Sequence, residues 1–135
     1  MSVAAAYQAS ASGRLILQEA AKEARLRQTA LSVFHIPEGV DIDIVEAQTT
    51  RLRDEITQVL AELGLDEVEW TLDVATGVDV ADTVLDLVDN ADVELLVIGA
   101  RRRSAVGKMI MGSVTQTIIL RADVPVLVVK APARP

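Results

Sequence analysis

Basic and small residues share one segment in the last third of the sequence. Three arginines at positions 101–103 and Lys108 precede Gly112 and Ser113, where a helical pattern begins. A helix start offers backbone N–H groups and the positive end of the helix dipole, so it favours an anion. The residue types predict a phosphate site, although a solvated charged loop followed by a capped helix is the alternative without a ligand.

The standard phosphate-binding signatures are absent from this segment and from the rest of the chain. No glycine pair has the GxGxxG spacing of dinucleotide-binding folds. Gly107 and Lys108 are followed by Met109, and Arg102 stands where a P-loop needs its first glycine. A nicotinamide fingerprint and a Walker motif are therefore excluded.

Other kinds of site are excluded by the residue inventory. The chain has no cysteine and one histidine, His35, which excludes disulfides, thiolate chemistry and tetrahedral zinc. We expect His35 to be a packed, hydrogen-bonded residue rather than a general base, because no Ser, His and Asp arrangement accompanies it. Ser10 and Ser12 are expected to be turn and cap residues. The acidic residues form no recognisable metal site and no catalytic residue is predicted.

Composition and charge limit the classes of partner. The 135 residues are half hydrophobic with one Trp, one Tyr and one Phe, and the net charge is −7. Residues 38–92 hold 16 acidic and 2 basic side chains, which disfavours general binding to nucleic acid or anionic lipid. No basic leader and no long apolar run is present, so we expect a cytoplasmic protein with no membrane segment. The length predicts a single domain over residues 1–130, with a frayed tail at 131–135.

Apolar periodicity predicts five strands alternating with four helices. The predicted strands are residues 3–7, 29–36, 67–74, 93–98 and 125–129, and residues 99–111 are predicted to be a loop. The predicted helices follow the first strand, span 41–63, begin near Asp79 and run from about 112 to 121. This alternation indicates an α/β fold, a doubly wound parallel sheet of order 3-2-1-4-5 with helices on both faces.

The last strand is apolar on both faces although this order places it at an edge. An uncovered apolar edge is a template for pairing with another chain. We expect a homodimer through this edge, with a covering helix or tail as the alternative. The predicted interface residues are Val126, Leu127, Val128 and Val129.

Ligands of open α/β sheets bind beyond the carboxyl ends of the strands, where the strand order reverses. Here that point lies between the first and fourth strands. The loops that meet there are residues 8–13 and 99–113.

The same loops resemble a known family. Gly99, Gly112 and Ser113 match two glycines and the hydroxyl residue in the C-terminal pattern of the universal stress proteins, which is glycine, two residues, glycine, nine residues, glycine, then Ser or Thr. Residues 7–14 (YQASASGR) and the VPVLVV ending are also similar, so the resemblance covers nearly the whole chain. It implies a flavodoxin-like domain that binds ATP or another adenine nucleotide, with Mg²⁺ accompanying it, and acts as a stress sensor or regulator with at most slow ATP hydrolysis.

The resemblance also implies roles for individual residues. The implied nucleotide-binding residues are Gln8, Ile36, Gly99, Arg101, Arg102, Arg103, Gly112, Ser113 and Val114. Two positions depart from the family pattern, because Arg102 replaces the second glycine and Gln8 replaces an aspartate. A dimeric interaction or stress-protection module that binds no nucleotide is therefore the alternative, and a flavin-binding relative of the same architecture is a third hypothesis.

Overall fold

A computed structural model of the protein describes residues 1–7, 11–37, 42–102, 109–110 and 112–131. For Ala11, Ile42, Arg101, Arg102, Met109, Ile110 and Ala131 the structure describes only the backbone. In chain order the described elements are β1 (Ser2–Ala6), α1 (Ala11–Leu26), β2 (Ala30–His35), α2 (Ile42–Glu62), β3 (Trp70–Val74), α3 (Val80–Asn90), β4 (Val93–Arg102), β5 (Met109–Ile110), α4 (Ser113–Arg121) and β6 (Val126–Ala131).

The parallel strands lie in the order β3-β2-β1-β4-β6. β6 is the fifth of the predicted strands, so the predicted order 3-2-1-4-5 is confirmed. The register places Ala4 of β1 opposite Ser32 of β2 and opposite Leu96 of β4. The strand order reverses between β1 and β4, as expected.

The segment after the fourth strand differs from the prediction. Residues 99–111 were expected to be a loop, but β4 continues to Arg102 and a short antiparallel strand, β5, pairs with its end. Arg101 pairs with Ala131 of β6 and with Ile110 of β5, so β5 lies on the side of β4 that faces β1, beyond the end of β1. Gly and Ala have weak strand preference, so the pairing with β5 and β6 on the two sides of β4 accounts for the extension.

The helices cover both faces of the sheet, as predicted, because each has one apolar face. Leu17, Ala20, Ala21 and Ala24 of α1 are fully buried on the face that α1 shares with α2. The buried residues of α3 and α4 join Phe34 and Leu96 on the opposite face. Two hydrophobic clusters therefore sandwich the sheet, and none of the helices in the described ranges is long and apolar enough to cross a membrane.

Helix ends follow the predicted local chemistry. Asp79 is the N-cap of α3, and its side chain accepts a hydrogen bond from the backbone N–H of Asp82 at 3.0 Å. After α2, Gly64 has a φ of +69°, the left-handed conformation that ends many helices and that glycine adopts without strain.

Candidate functional site

A cleft of about 210 Å³ lies beyond the carboxyl ends of β1 and β4. The starts of α1, α3 and α4 surround it. Its lining residues are Ala6, Tyr7, Ser12, Gly13, Ile16, Phe34, Ile36, Val80, Val84, Ile98, Gly99, Ala100, Val114, Thr115 and Ile118. This is the position that the strand order predicts for a ligand site.

Most of the cleft wall is apolar. Phe34 and Ile118 are buried in the core at its base. Val80 and Val114 also line the cleft and remain 40% and 39% exposed, so their apolar surface is available for contact with a ligand. A wall of this kind suits a flat, weakly polar ring system.

The start of α4 forms the polar end of the cleft. Its N-cap is Gly112, which has extended backbone angles (φ −66°, ψ 164°) and no side chain that could form a capping hydrogen bond. The first backbone N–H groups of a helix have no partner within the helix. In α3 the Asp79 carboxylate caps this position, whereas in α4 the N–H groups can serve an external acceptor, and the helix dipole favours an anionic one.

Gly99 and Gly112 differ in whether the surrounding packing favours a glycine. A Cβ on Gly99 would lie 2.7 Å from Cδ1 of Ile16, so close packing of α1 on β4 favours a glycine there. A Cβ on Gly112 would meet no atom of the described residues within 4 Å, and the φ of Gly112 is negative. The packing of the chain therefore does not require glycine at position 112.

Backbone and side-chain bonds hold the end of β1 beside the cleft. The N–H of Tyr7 donates to the carbonyl of Phe34 at 2.9 Å. Nδ1 of the half-buried His35 lies 3.3 Å from the carbonyl oxygen of Tyr7, so His35 makes the kind of hydrogen bond expected of a packed histidine. Burial, followed by the charge and hydrogen bond of the Glu55 carboxylate, raises the pKa of the Tyr7 hydroxyl to about 12.

A second depression, of about 360 Å³, lies at the opposite end of the sheet between α1 and residues 67–69. The Arg25 guanidinium already pairs with the Glu67 carboxylate at 3.5 Å across it. Glu69 adds another negative charge to its wall, so this depression is unsuited to an anionic ligand. The described residues contain no cluster of three or more acidic or histidine side chains that could hold a metal ion.

Comparisons with known proteins give the family. The model of the universal stress protein family matches residues 1–130. A curated universal stress protein from Mycolicibacterium smegmatis is 37% identical over 124 residues, which cover 92% of this chain and 93% of that protein. The chain belongs to the universal stress protein family.

Solved universal stress proteins share the fold described above. A structure from Archaeoglobus fulgidus is 31% identical, covers 95% of this chain and 97% of its own, and superposes with a TM-score of 0.76. Another, from the same organism and in complex with dAMP, is 28% identical, covers 95% and 96%, and gives a TM-score of 0.72. The flavodoxin-like architecture that the family resemblance implied is therefore confirmed.

The structure of this universal stress protein places the predicted site residues in three groups. Ile36, Gly99 and Val114 line the cleft. Gly112 and Ser113 are exposed at the start of α4, next to Val114 but outside the cleft lining. The backbones of Arg101 and Arg102 lie in β4, while Gln8, Ser10, Arg103 and Lys108 lie outside the described residues.

The sequence analysis missed Thr115 as a site residue. It lies in the first turn of α4 and lines the cleft, with its Oγ1 3.4 Å from the carbonyl oxygen of Gly99. The family pattern ends at Ser113, so it drew no attention to position 115. Helical geometry offered one indication, because residues 114, 115 and 118 share a face. Phe34, Val80 and Val84 were predicted only as strand or helix residues, and they also line the cleft.

Proposed function

We propose that this universal stress protein binds an adenine nucleotide, ATP or AMP, in the cleft between β1 and β4 and acts as a stress sensor or regulator. One observation carries the proposal: an apolar cleft at the switch point of the sheet ends at a helix start whose N-cap, Gly112, has no side chain to cap it. The dAMP complex of the Archaeoglobus fulgidus relative supports the same ligand class.

In the proposed complex the base lies against the apolar wall. Ile36 contributes to that wall, and Gln8 offers hydrogen bonds to the base or sugar. The phosphates lie at the start of α4, where the N–H groups of Ser113 and Val114 donate to them and Gly112 lets them approach. Gly99 forms the opposite side, and Arg101, Arg102 and Arg103 supply positive charge near a site in an otherwise acidic chain. Mg²⁺ would accompany ATP.

We also propose that two copies associate through β6. Val126, Leu127, Val128 and Val129 are all half-buried in the single chain. Among the described residues β6 pairs only with β4, so its other edge has backbone groups available to a second strand. A homodimer would cover this edge.

Calorimetric titration of AMP and of ATP with Mg²⁺ tests nucleotide binding. The sharpest variant is Ser113→Pro, because proline is favoured at the first helical position and Gly112 already has the extended conformation that precedes proline. This variant keeps α4 and deletes the N–H of residue 113. We expect at least about tenfold weaker binding, as for loss of a hydrogen bond to a charged group. Ser113→Ala, which keeps the N–H, is the matched control.

The alternative function makes the opposite prediction. Arg102 stands where the family pattern has its second glycine, and this favours a chain that acts by protein interaction alone. If the wild-type protein binds neither nucleotide, the nucleotide proposal is wrong and the interaction module is supported. Equal affinities of the wild type and Ser113→Pro would place the phosphates away from α4.

A further inference from the structure

β3 lies at the end of the sheet opposite β6, and among the described residues it pairs only with β2. The carbonyl of Glu69 accepts a hydrogen bond from the N–H of Leu31 at 2.8 Å. The N–H of Ala75 donates to the carbonyl of His35 at 3.1 Å. Successive residues of a strand direct their backbone groups to alternate sides, so those of residues 70, 72 and 74 face away from β2. This side of β3, which we call the β3 edge, is open to a further strand.

The two faces of β3 differ in polarity. Leu72 is buried in the hydrophobic core, and Trp70 and Val74 are half-buried against it. On the other face Glu69 is exposed and Asp73 is half-buried, and neither forms an ion pair with a described residue. A strand added at the β3 edge would therefore meet apolar side chains on one face and carboxylates on the other.

The negative charge extends into the depression of about 360 Å³ at the start of β3, which Glu67 and Glu69 both line. Among the described residues of this lining only Arg25 is basic, and it pairs with Glu67 at 3.5 Å. One carboxylate is left without a counter-charge, so this end of the β3 edge favours a cationic side chain.

We propose that the β3 edge binds an extended segment of a partner protein in which basic residues alternate with apolar ones. The segment adds a strand to the sheet, and its backbone pairs with residues 70, 72 and 74. Its apolar side chains cover Trp70 and Val74, and its basic side chains face Glu69 and Asp73. This interaction does not depend on nucleotide binding, because the cleft lies between β1 and β4.

Charge distinguishes the β3 edge from the edge of β6, through which we propose that two copies associate. Residues 126–129 of β6 are all apolar. Two copies of β3 side by side would instead bring Glu69 and Asp73 close to the same residues of the other copy, and like charges on paired strands are destabilising. The same carboxylates attract a basic strand. The β3 edge thus selects a partner of opposite charge against a second copy.

Titration with a short blocked peptide that alternates lysine and valine tests the proposal, and a peptide that alternates glutamate and valine is the control for charge. Trp70 is the only tryptophan of the chain, so its fluorescence reports directly on this edge. Calorimetry on the same samples measures the affinity.

Two pairs of variants separate the backbone contribution from the charge. Val74→Pro deletes an outward N–H, as edge strands tolerate, and Val74→Ala keeps that N–H. Glu69→Lys reverses a charge at the β3 edge. Asp123→Lys makes the same charge change at an exposed residue just before β6, on the opposite side of the sheet. Thermal unfolding of each variant shows whether the fold is kept.

We expect the lysine–valine peptide to bind and to shift the Trp70 emission to shorter wavelength, because the added strand removes water from the half-buried ring. Val74→Pro should weaken binding about fivefold, the effect of one lost hydrogen bond between neutral groups. Glu69→Lys should weaken it by about as much, and added salt should weaken binding to the wild type. Val74→Ala and Asp123→Lys should stay within about twofold of the wild type.

The proposal is wrong if the wild type does not bind the lysine–valine peptide or binds the glutamate–valine peptide equally well. Binding that leaves the Trp70 emission unchanged, and that Glu69→Lys does not weaken, would place the peptide at another surface. A wild-type assembly larger than a dimer that Val74→Pro reduces would assign the β3 edge to a second copy. If Val74→Pro does not fold, the comparison of Glu69→Lys with Asp123→Lys decides.

Discussion

Tyr7, the only tyrosine of the chain, links the cleft to the body of the protein. It is 2% exposed, lines the cleft, and has its hydroxyl beside the Glu55 carboxylate of α2. Burial and the negative charge of Glu55 both penalise the phenolate, and the nearby Arg14 opposes them only in part. The neutral phenol is therefore strongly favoured in the folded state.

A single tyrosine makes this effect directly measurable by phenolate absorbance. In the folded protein we expect a titration midpoint near pH 12, and in denaturant a midpoint near the ordinary value of 10.0. Because folding raises the pKa, the stabilising contribution of Tyr7 is complete below about pH 10 and is lost as the pH rises towards 12.

Glu55→Gln is the informative control for the titration. It removes the charge beside the hydroxyl, so the folded-state midpoint should fall towards that of the denatured chain, while burial keeps it above. A folded-state midpoint near 10 in the wild type would show that Tyr7 is not buried as described.

At the scale of elements, the contact between α1 and β4 shapes one side of the cleft. Ile16 of α1 occupies the space where a side chain on Gly99 would lie, with Cδ1 at 2.7 Å and Cγ1 at 3.3 Å from that position. Both residues also line the cleft. The packing of a helix on a strand thus favours a small residue at a position that the family pattern associates with the nucleotide.

We expect Gly99→Ala to lower the free energy of unfolding by about 1 kcal/mol, the low end of the cost of overpacking, because the added methyl group displaces the terminal atom of the Ile16 side chain. Ile16→Val removes Cδ1 and by itself should cost about 0.5–1.5 kcal/mol. The double variant should lose less than the sum of the two, since the shorter side chain makes room for the methyl group. Urea denaturation of the four proteins measures this coupling.

Gly112→Ala is the matched control for the glycine substitution. Its added methyl group meets no atom within 4 Å, so only the helix N-cap preference changes, and the cost should stay below about 1 kcal/mol. Strict additivity of Gly99→Ala and Ile16→Val would show that Ile16 does not restrict position 99.

At the scale of the whole molecule, the outer edge of β6 is the surface through which we propose that two copies associate. The carbonyl of Pro125 accepts a hydrogen bond from the N–H of Leu96 in β4 at 3.0 Å. Successive residues of a strand direct their N–H and C=O groups to alternate sides, so those of residues 126, 128 and 130 face away from β4. The side chain of Val128 instead packs against the cluster formed with α3 and α4.

Val128→Pro therefore tests the proposed dimer better than the substitution of Val128 by a charged residue, because a charged side chain at this position would also disturb the core. Proline deletes one outward N–H and leaves the pairing with β4 in place, as edge strands tolerate. By light scattering we expect a monomer for Val128→Pro and a dimer for the wild type and Val128→Ala. A folded Val128→Pro protein that remains dimeric would locate the interface elsewhere.

Much of the fold follows from the sequence alone. The buried face of α1, the cap at Asp79 and the helix end at Gly64 are each encoded within one or two turns of helix, because periodicity and capping act between near neighbours. The parallel order 3-2-1-4-5 followed from the alternation of strands and helices. The end of the sheet that holds the cleft could be predicted for the same reason.

Only the tertiary structure decided which side chains meet at that end. Tyr7 and Glu55 are far apart in sequence, and their contact depends on how α2 packs against α1 and the sheet. The extension of β4 to Arg102 depends on backbone partners from β5 and β6. These partners could not be predicted from the strand preference of residues 99–102. The rotation of α4 about its axis decides that Thr115 lines the cleft and Ser113 does not.

The sequence by itself determined the elements, their order and the end of the sheet at which a ligand can bind, because these follow from local patterns and chain topology. The packing of helices on strands decided the lining of the cleft, because it brings together residues that no local pattern connects.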